Sequence, residues 1–522
     1  MRVRAITLLI ALVAALVPAG SVTAGTPAPG WIRAQLVHSF TQHDDDGWDL
    51  VTFNNRAYVA VAGQEDGFRR LYLKTNDTAT GTFRSERVAE FPGDTVVRTV
   101  SIGVAPNGDV YIAYSLDPNV GPPATFLATD ASSSWVSIPV PTTGDSGAIA
   151  APEHPDLAIL SDGSVAVAFQ ATQQSPCTGT GDIFVTTFSA GAFSTPTNVT
   201  HGNTDGTLCV FNTYPALAAS GTTLHLAYRW VSNTGAGVQL HYRSGSLLNS
   251  TDETVDATAT TIDGYSIREF GIDMVVDNDG IPHIGYVTEN DTNVTSVSTR
   301  YATKSGTTWT LEEVQRVTEG RAVSGPSVSV AVDQAAVAYT VDGAGDDPGG
   351  STQSQAFIAK RAGAGQPWAI DNLNRGSVDD VDPEIAAAAG RFHALFLEIN
   401  GLGANPFSHV YQHEAPRPTI EFNLTGGKTF RGGEPVPMRG DIDPATVRER
   451  VVINTQRKKG ARWVNVDKKR VRSNADGEWS FRHPALPTGR TYRARAEVRD
   501  TVDHRAGKNP WVRFEVQARR NH

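Results

Sequence analysis

The chain has 522 residues, 40% of them hydrophobic and 8% aromatic, with 49 Gly, 29 Pro, two Cys, three Met and a formal net charge of −10 at pH 7. That length gives room for two or more domains and a large buried core. Plentiful Gly, Pro and aromatics, without any long amphipathic helical pattern, argue against a helical fold and for an all-β protein with many turns.

Arg2 and Arg4 precede an apolar run from Ala5 to Val17, then Pro18, Gly20 and the small residues Val22-Thr23-Ala24. Residues 1–24 read as a Sec-type signal peptide cleaved after Ala24. The run is shorter than the ~20 apolar residues of a membrane span, and no later segment approaches that length. The expectation is a soluble, secreted, extracellular monomer without a transmembrane anchor.

A pair of short apolar strands with a tight turn then recurs: DLVTFNNRAYVAVAG (49–63), VSIGVAPNGDVYIAYS (100–115), PDLAILSDGSVAVAFQ (155–170), PALAASGTTLHLAYRW (215–230), IDMVVDNDGIPHIGYV (272–287), PSVSVAVDQAAVAYTV (326–341) and PEIAAAAGRFHALFLE (383–398). An aromatic closes the second strand at Tyr114, Phe169, Tyr228, Tyr286, Tyr339 and Phe396, and another opens a fourth strand at Phe83, Trp135, Phe193, Trp309 and Trp368. The spacing suits four-stranded units, and seven copies predict a seven-bladed β-propeller over 31–413. The last unit lacks a fourth strand, while Trp31–Val37 is an orphan strand ahead of the first. The N-terminal strand is therefore expected to complete the last blade and remove two open edges.

In a propeller the starts of first strands and the ends of second strands share one face. That face collects Asp44, Asp45 and Asp46, Arg98, Glu153 and His154, Tyr214, Arg268 and Glu269, Arg321, and Asp379, Asp380 and Asp382, together with Asp117, Gln170, Arg229, Trp230, Glu289, Asp342 and Glu398. The opposite face is short turns, so the charged face is the candidate site. Cys177 and Cys209 fall in loops of this face. In an exported chain they form a plausible disulfide, closing a loop worth roughly 3–4 kcal/mol in the entropy model.

Gly306, Thr308 and Trp309 match the end of an Asp-box, Ser-x-Asp-x-Gly-x-Thr-Trp, with Lys304 standing where its Asp belongs. On these residues and the repeats, the chain resembles the BNR/sialidase-like propellers. The resemblance implies a carboxylate-binding arginine cluster, for which Arg98, Arg268 and Arg321 are the candidates, against the alternative that each pairs with a neighbouring loop carboxylate; Arg229 and Trp230, after a second strand on the same face, are further ligand-binding candidates. It also implies a Tyr–Glu pair and an acid, for which Tyr265, Glu269 and Asp380 are the candidates. The early Phe/Tyr-Arg-Ile-Pro motif of that family is missing. Two readings stay open: a non-catalytic glycan- or protein-binding module, which is favoured, and a sialidase-type exo-glycosidase acting on terminal acidic sugars. The acidic loops offer Asp45 and Asp382 as oxygen ligands for Ca²⁺, against the alternative of solvated charge. His225, His283 and His393 share one repeat position and read as packing residues.

From Pro416 onward 24 Lys and Arg face 12 Asp and Glu, so this part carries +12 and residues 1–415 carry −22. Residues 416–518 alternate apolar and polar positions, as in Tyr492–Val498 and Val512–Val516, with a hairpin signal at Asn474-Ala475-Asp476-Gly477. They resemble the Ig-like modules of exported bacterial proteins. Their Lys/Arg runs read as a solvated face, with an anionic cell-wall polymer or the acidic propeller itself as a reasonable partner. Nucleic acid is not expected, since no reading motif is present.

Overall fold

The computed structural model describes residues 26–518 except 28–30, 32–34, 43–46, 77–81, 119–120, 146, 174–180, 201–209, 233–237, 248–249, 258–270, 290–295, 319–322, 332–333, 342–353, 362, 376–378, 389, 400–406, 415–418, 426, 444–449, 475–476 and 499–506. Its elements are strands throughout. Among the described residues, seven antiparallel sheets of at least four strands follow one another along the chain. Their innermost strands are Trp48–Phe53, Val96–Val104, Gly147–Ile159, Val210–Ser220, Ile272–Val276, Val323–Ala331 and Asp379–Ala388. Each innermost strand packs on that of the next sheet, and the last packs back on the first. The fold is a β-propeller.

One apolar cluster fills each interface between successive sheets. Leu71 and Ala60 meet Val100 and Ile112 between sheets one and two, and Leu395 and Ala386 meet Leu50 and Val59 between sheets seven and one. Because both faces of every sheet are covered, the strands carry unbroken apolar runs where one-sided sheets would alternate. Ile112, Ala113 and Tyr114, three consecutive residues, are each at most 1% exposed.

The N-terminal strand Gln35–Phe40 is the outermost strand of sheet seven, antiparallel to Phe407–His413, with a further bridge from Trp31 to Glu414. The expected pairing is observed, with its continuous part shifted downstream of Trp31–Val37. Phe40 and Trp31 are at most 1% exposed and anchor the strand on both sides.

Residues Thr419–Gln517 carry three further sheets around a core of their own, with Trp479, Tyr492 and Phe514 at its centre. Thr429–Arg431 runs parallel to the last strand, Val512–Gln517.

Candidate functional site

Where the innermost strands begin, the seven sheets leave a cavity of about 240 Å³ on the axis, lined by Trp48, Asp49, Arg98, Thr99, His154, Asp156, Tyr214, Asp273, Asp382 and Glu384 among others. It opens on the face that the sequence assigns as functional.

The cavity is built by a repeated backbone device. His154, Tyr214, Gly325 and Asp382 adopt positive φ values of 50°, 53°, 55° and 46°, and each precedes a proline. A bulge follows in all four strands, where the register slips against the second strand. The bulge turns the residue before proline towards the rim and sends the residue after it to the axis. At Gly325 a Cβ would approach Asp382 Oδ1 to 3.0 Å, so the left-handed position there also needs the missing side chain.

The residues sent to the axis are Asp49, Ser101, Asp156, Ala216, Asp273, Ser327 and Glu384, one per sheet. All but Glu384 sit opposite an Ala or Gly of the second strand: Ala60, Ala113, Ala168, Ala227, Gly285 and Ala338. The three aspartates clamp neighbouring sheets. Leu50 N–H donates to Asp49 Oδ1 at 2.6 Å and Ile102 N–H of sheet two to Oδ2 at 2.7 Å. Asp156 accepts from Leu157 N–H (2.8 Å), from Leu217 N–H of sheet four (2.6 Å) and from Ser101 Oγ (2.7 Å). Asp273 accepts from Met274 N–H (2.7 Å), from Val328 N–H of sheet six (2.6 Å) and from Ser327 Oγ (3.2 Å). The serines complete the set by accepting from Leu157 and Ile385 N–H.

Clamping by alternate sheets cannot close on an odd ring. Sheet seven falls between the clamped sheet six and the clamping sheet one, and it carries Glu384 where sheets one, three and five carry Asp. Among the described residues no backbone N–H donates to the Glu384 carboxyl, and Ser327 is its hydrogen-bonding neighbour. Burial, then the charges of Asp49 and Asp273, push its pKa well above the usual carboxylate range. Burial likewise raises Asp49 to about 7 and Asp156 to about 6, against the pull of their backbone donors, and it raises Asp273.

The rim holds Arg98, His154 and Tyr214. Arg98 donates through Nε at 2.7 Å to Asp117, with its second guanidinium nitrogen 2.6 Å away. His154 is buried, its Nδ1 is 3.1 Å from Thr99 Oγ1, and its ring lies 5.2 Å from that of Tyr214. Burial, with Arg98 nearby, lowers His154 to about 4, so it is neutral at physiological pH. Trp48 Nε1 donates to the Asp382 carbonyl at 3.1 Å, tying sheet one to sheet seven.

Of the residues singled out from sequence, Arg98, His154, Tyr214 and Asp382 line the cavity. Arg229 stacks over Tyr214 at 5.9 Å, just behind the rim, while Trp230 stacks on His241 within sheet four. Tyr265, Arg268, Glu269, Arg321, Asp45, Cys177 and Cys209 lie outside the described residues, as does the side chain of Asp380. No group of three or more His, Cys, Asp or Glu among the described residues is placed to hold a metal ion. His225, His283 and His393 are packing residues, each bonded through Nδ1 to a third-strand tyrosine, Tyr242, Tyr301 and Tyr411. Lys304, at the Asp-box position, bonds Glu253 of sheet four at 2.6 Å and lies over the Tyr242 and Trp309 rings. It is an inter-sheet brace. The axial residues Asp49, Asp156, Asp273 and Glu384 were missed, although Pro-Asp, Pro-Ala, Pro-Ser and Pro-Glu at 155, 215, 326 and 383 marked the position.

No family model matches the chain, and no curated protein sequence matches it. Solved structures do align with it. An α-L-arabinanase of Penicillium chrysogenum complexed with arabinobiose has 11% identity and a TM-score of 0.39, over 74% of this chain and 98% of that one. An α-L-arabinofuranosidase of Fusarium graminearum in complex with arabinobiose has 12% identity and a TM-score of 0.38, over 64% and 97%. A protein of unknown function from Dyadobacter fermentans has 12% identity and a TM-score of 0.38, over 60% and 93%.

Proposed function

We propose that this chain is a secreted glycan-binding protein, a seven-bladed propeller followed by an Ig-like sandwich, whose ligand enters the axial cavity. The seven-sheet ring supports the blade count. The Ig-like reading is supported by the parallel pairing of Thr429–Arg431 with the last strand and by Tyr492, whose hydroxyl donates to the Pro487 carbonyl at 2.8 Å as in a tyrosine corner.

The observation that carries the binding reading is Glu384, the one ring carboxyl without a backbone donor among the described residues, facing a cavity walled by Trp48, Tyr214 and His154. Sugar hydroxyls pair with such a carboxyl, and aromatic walls take the apolar faces of sugar rings. Among the described residues of the lining, carboxyls outnumber the one guanidinium, Arg98, which Asp117 already neutralises. A neutral glycan therefore fits better than the acidic sugar of the sialidase-type alternative. The test is a glycan array followed by calorimetry on the hits. Neutral oligosaccharides are expected to bind, and Glu384→Ala to weaken them at least about tenfold, near 1.4 kcal/mol. Preference for acidic sugars, or indifference to Glu384→Ala, would overturn the reading.

A second reading is favoured by the raised pKa of Glu384, which keeps a proton available for a glycosidic leaving group. On that reading the chain is an exo-glycosidase. Release of chromophore from a panel of aryl glycosides, abolished in Glu384→Gln, would establish it. Disulfide formation between Cys177 and Cys209 is a proposal tested by thiol titration of the denatured protein.

A further inference from the structure

The outward face of the sheet formed by Arg450–Lys459, Arg462–Arg472, Arg490–Val498 and Val512–Gln517 carries an interleaved stack of indoles and guanidiniums. Arg493 lies 4.5 Å from the Trp463 ring centre and 4.3 Å from that of Trp511; Arg495 lies 4.4 Å from Trp511, and Arg513 5.9 Å from Trp463. Arg493 and Arg513 sit directly opposite each other on paired strands. Like charges in that position repel. The charges of Arg513 and Arg495 also lower the pKa of Arg493, after burial as the larger cause. Among the described residues only Arg495 of the three has a carboxylate partner, Glu497 at 2.5 Å; Arg493 donates to the neutral Gln456 at 2.8 Å. The exposed edge strand adds Lys468 and Arg470 beside them.

Resting on the reading of the chain as an exported glycan-binding protein, we infer that this face is a second binding site, for the carboxylate groups of an anionic polysaccharide. Stacking on tryptophan fixes the planar guanidiniums while leaving N–H edges for bidentate contact with a carboxylate. An anion placed between Arg493 and Arg513 relieves a repulsion that the protein alone leaves standing. A polymer suits the face because the cations lie on three of its four strands, including both Val512–Gln517 and the edge strand Arg462–Arg472. Single-stranded nucleic acid suits it less, because each indole is already engaged by two guanidiniums and base stacking needs a free aromatic face.

The experiment uses the full chain and polygalacturonate, with a neutral polysaccharide, a phosphodiester polymer and single-stranded DNA as comparison arms, read by biolayer interferometry at 50 and 300 mM NaCl. Polygalacturonate is expected to bind, more weakly at the higher salt. Arg493→Gln with Arg513→Gln is expected to weaken it at least fivefold. Arg439→Gln with Arg482→Gln, the same charge change at exposed positions on the other sheet, is expected to change it less than twofold. Equal losses in the two double variants would reduce the effect to net charge and overturn the site. Tighter binding of the phosphodiester polymer or of DNA would overturn the ligand class, and absence of polymer binding the whole inference. Arg513→Gln alone removes an exposed side chain and is expected to give a partial loss with an unchanged Tm. Neutral-glycan binding at the axial cavity, measured on the same variants, is expected to stay constant, so failure of either site is seen separately.

Discussion

Glu384 and Asp49 differ by one methylene and by whether the backbone has claimed them. Asp49 is held by Leu50 and Ile102 N–H, while among the described residues no backbone N–H donates to Glu384. Both have raised pKa values, so their contribution to stability is complete below about pH 4 and is lost as pH rises, through about 7 for Asp49. Buried His38, His154 and His413, lowered to about 4, act in the opposite sense: their contribution is complete above about 6.5 and lost as pH falls towards 4. The two sets offset each other between about pH 4 and 6.5; above that the raised carboxyls dominate, opposed only from about pH 8 by buried Lys74, which is lowered to about 8. Tm is therefore expected to fall between pH 6.5 and 8.5. Glu384→Gln, which mimics the protonated group, is expected to gain on the wild type over that interval by differential scanning fluorimetry; a constant gap would mean that Glu384 is already ionised. Gly47 gives a second residue-level prediction. Its N–H donates to Val97 at 2.7 Å, and a Cβ there would overlap the Arg98 carbonyl and lie 2.8 Å from Val100 N. Gly47→Ala is expected to cost about 1–3 kcal/mol in chemical denaturation.

At the scale of strands and sheets, one aromatic braces each of several interfaces. Tyr242, Tyr301 and Tyr411 on third strands meet Trp309, Trp368 and Phe83 edge-on at 5.0, 5.3 and 5.2 Å, and these are fourth-strand aromatics of the next sheet. The sequence made the fourth-strand aromatics visible because they recur, and it made the pairing of the first strand with the last sheet visible because one unit was a strand short. It hid the axial ring. Bulges shift the register by a residue or two inside an apolar run, and an Asp after a proline looks like any turn residue until its two backbone donors are placed around it. The face was legible from its charge. The pairing of Arg98 with a loop carboxylate was legible as an alternative, and Asp117 supplies it; the want of a backbone donor at Glu384 among the described residues was not, because it depends on the neighbouring sheet. Removing residues up to Phe40 deletes the buried Phe40, Val37 and Trp31, at roughly 1.5–3 kcal/mol each. It also bares the edge of Phe407–His413, so loss of several kcal/mol in denaturation and a shift to larger species on size exclusion are both expected.

For the whole molecule, the pairing of Gln35–Phe40 with Phe407–His413 sets an order of events. Ser39 and Ser408, whose hydroxyls lie 2.9 Å apart, are separated by 369 positions in the chain. During synthesis from the N-terminus, the first strand waits for its partner until nearly all seven sheets have emerged. Loop closure over that distance costs entropy that only the finished ring repays. The chain is thus kept open while it is being threaded and locks once the last sheet arrives. Afterwards the lock works in reverse: a cut in any loop between sheets leaves two fragments still held together, because the first and last pieces of the ring are one sheet.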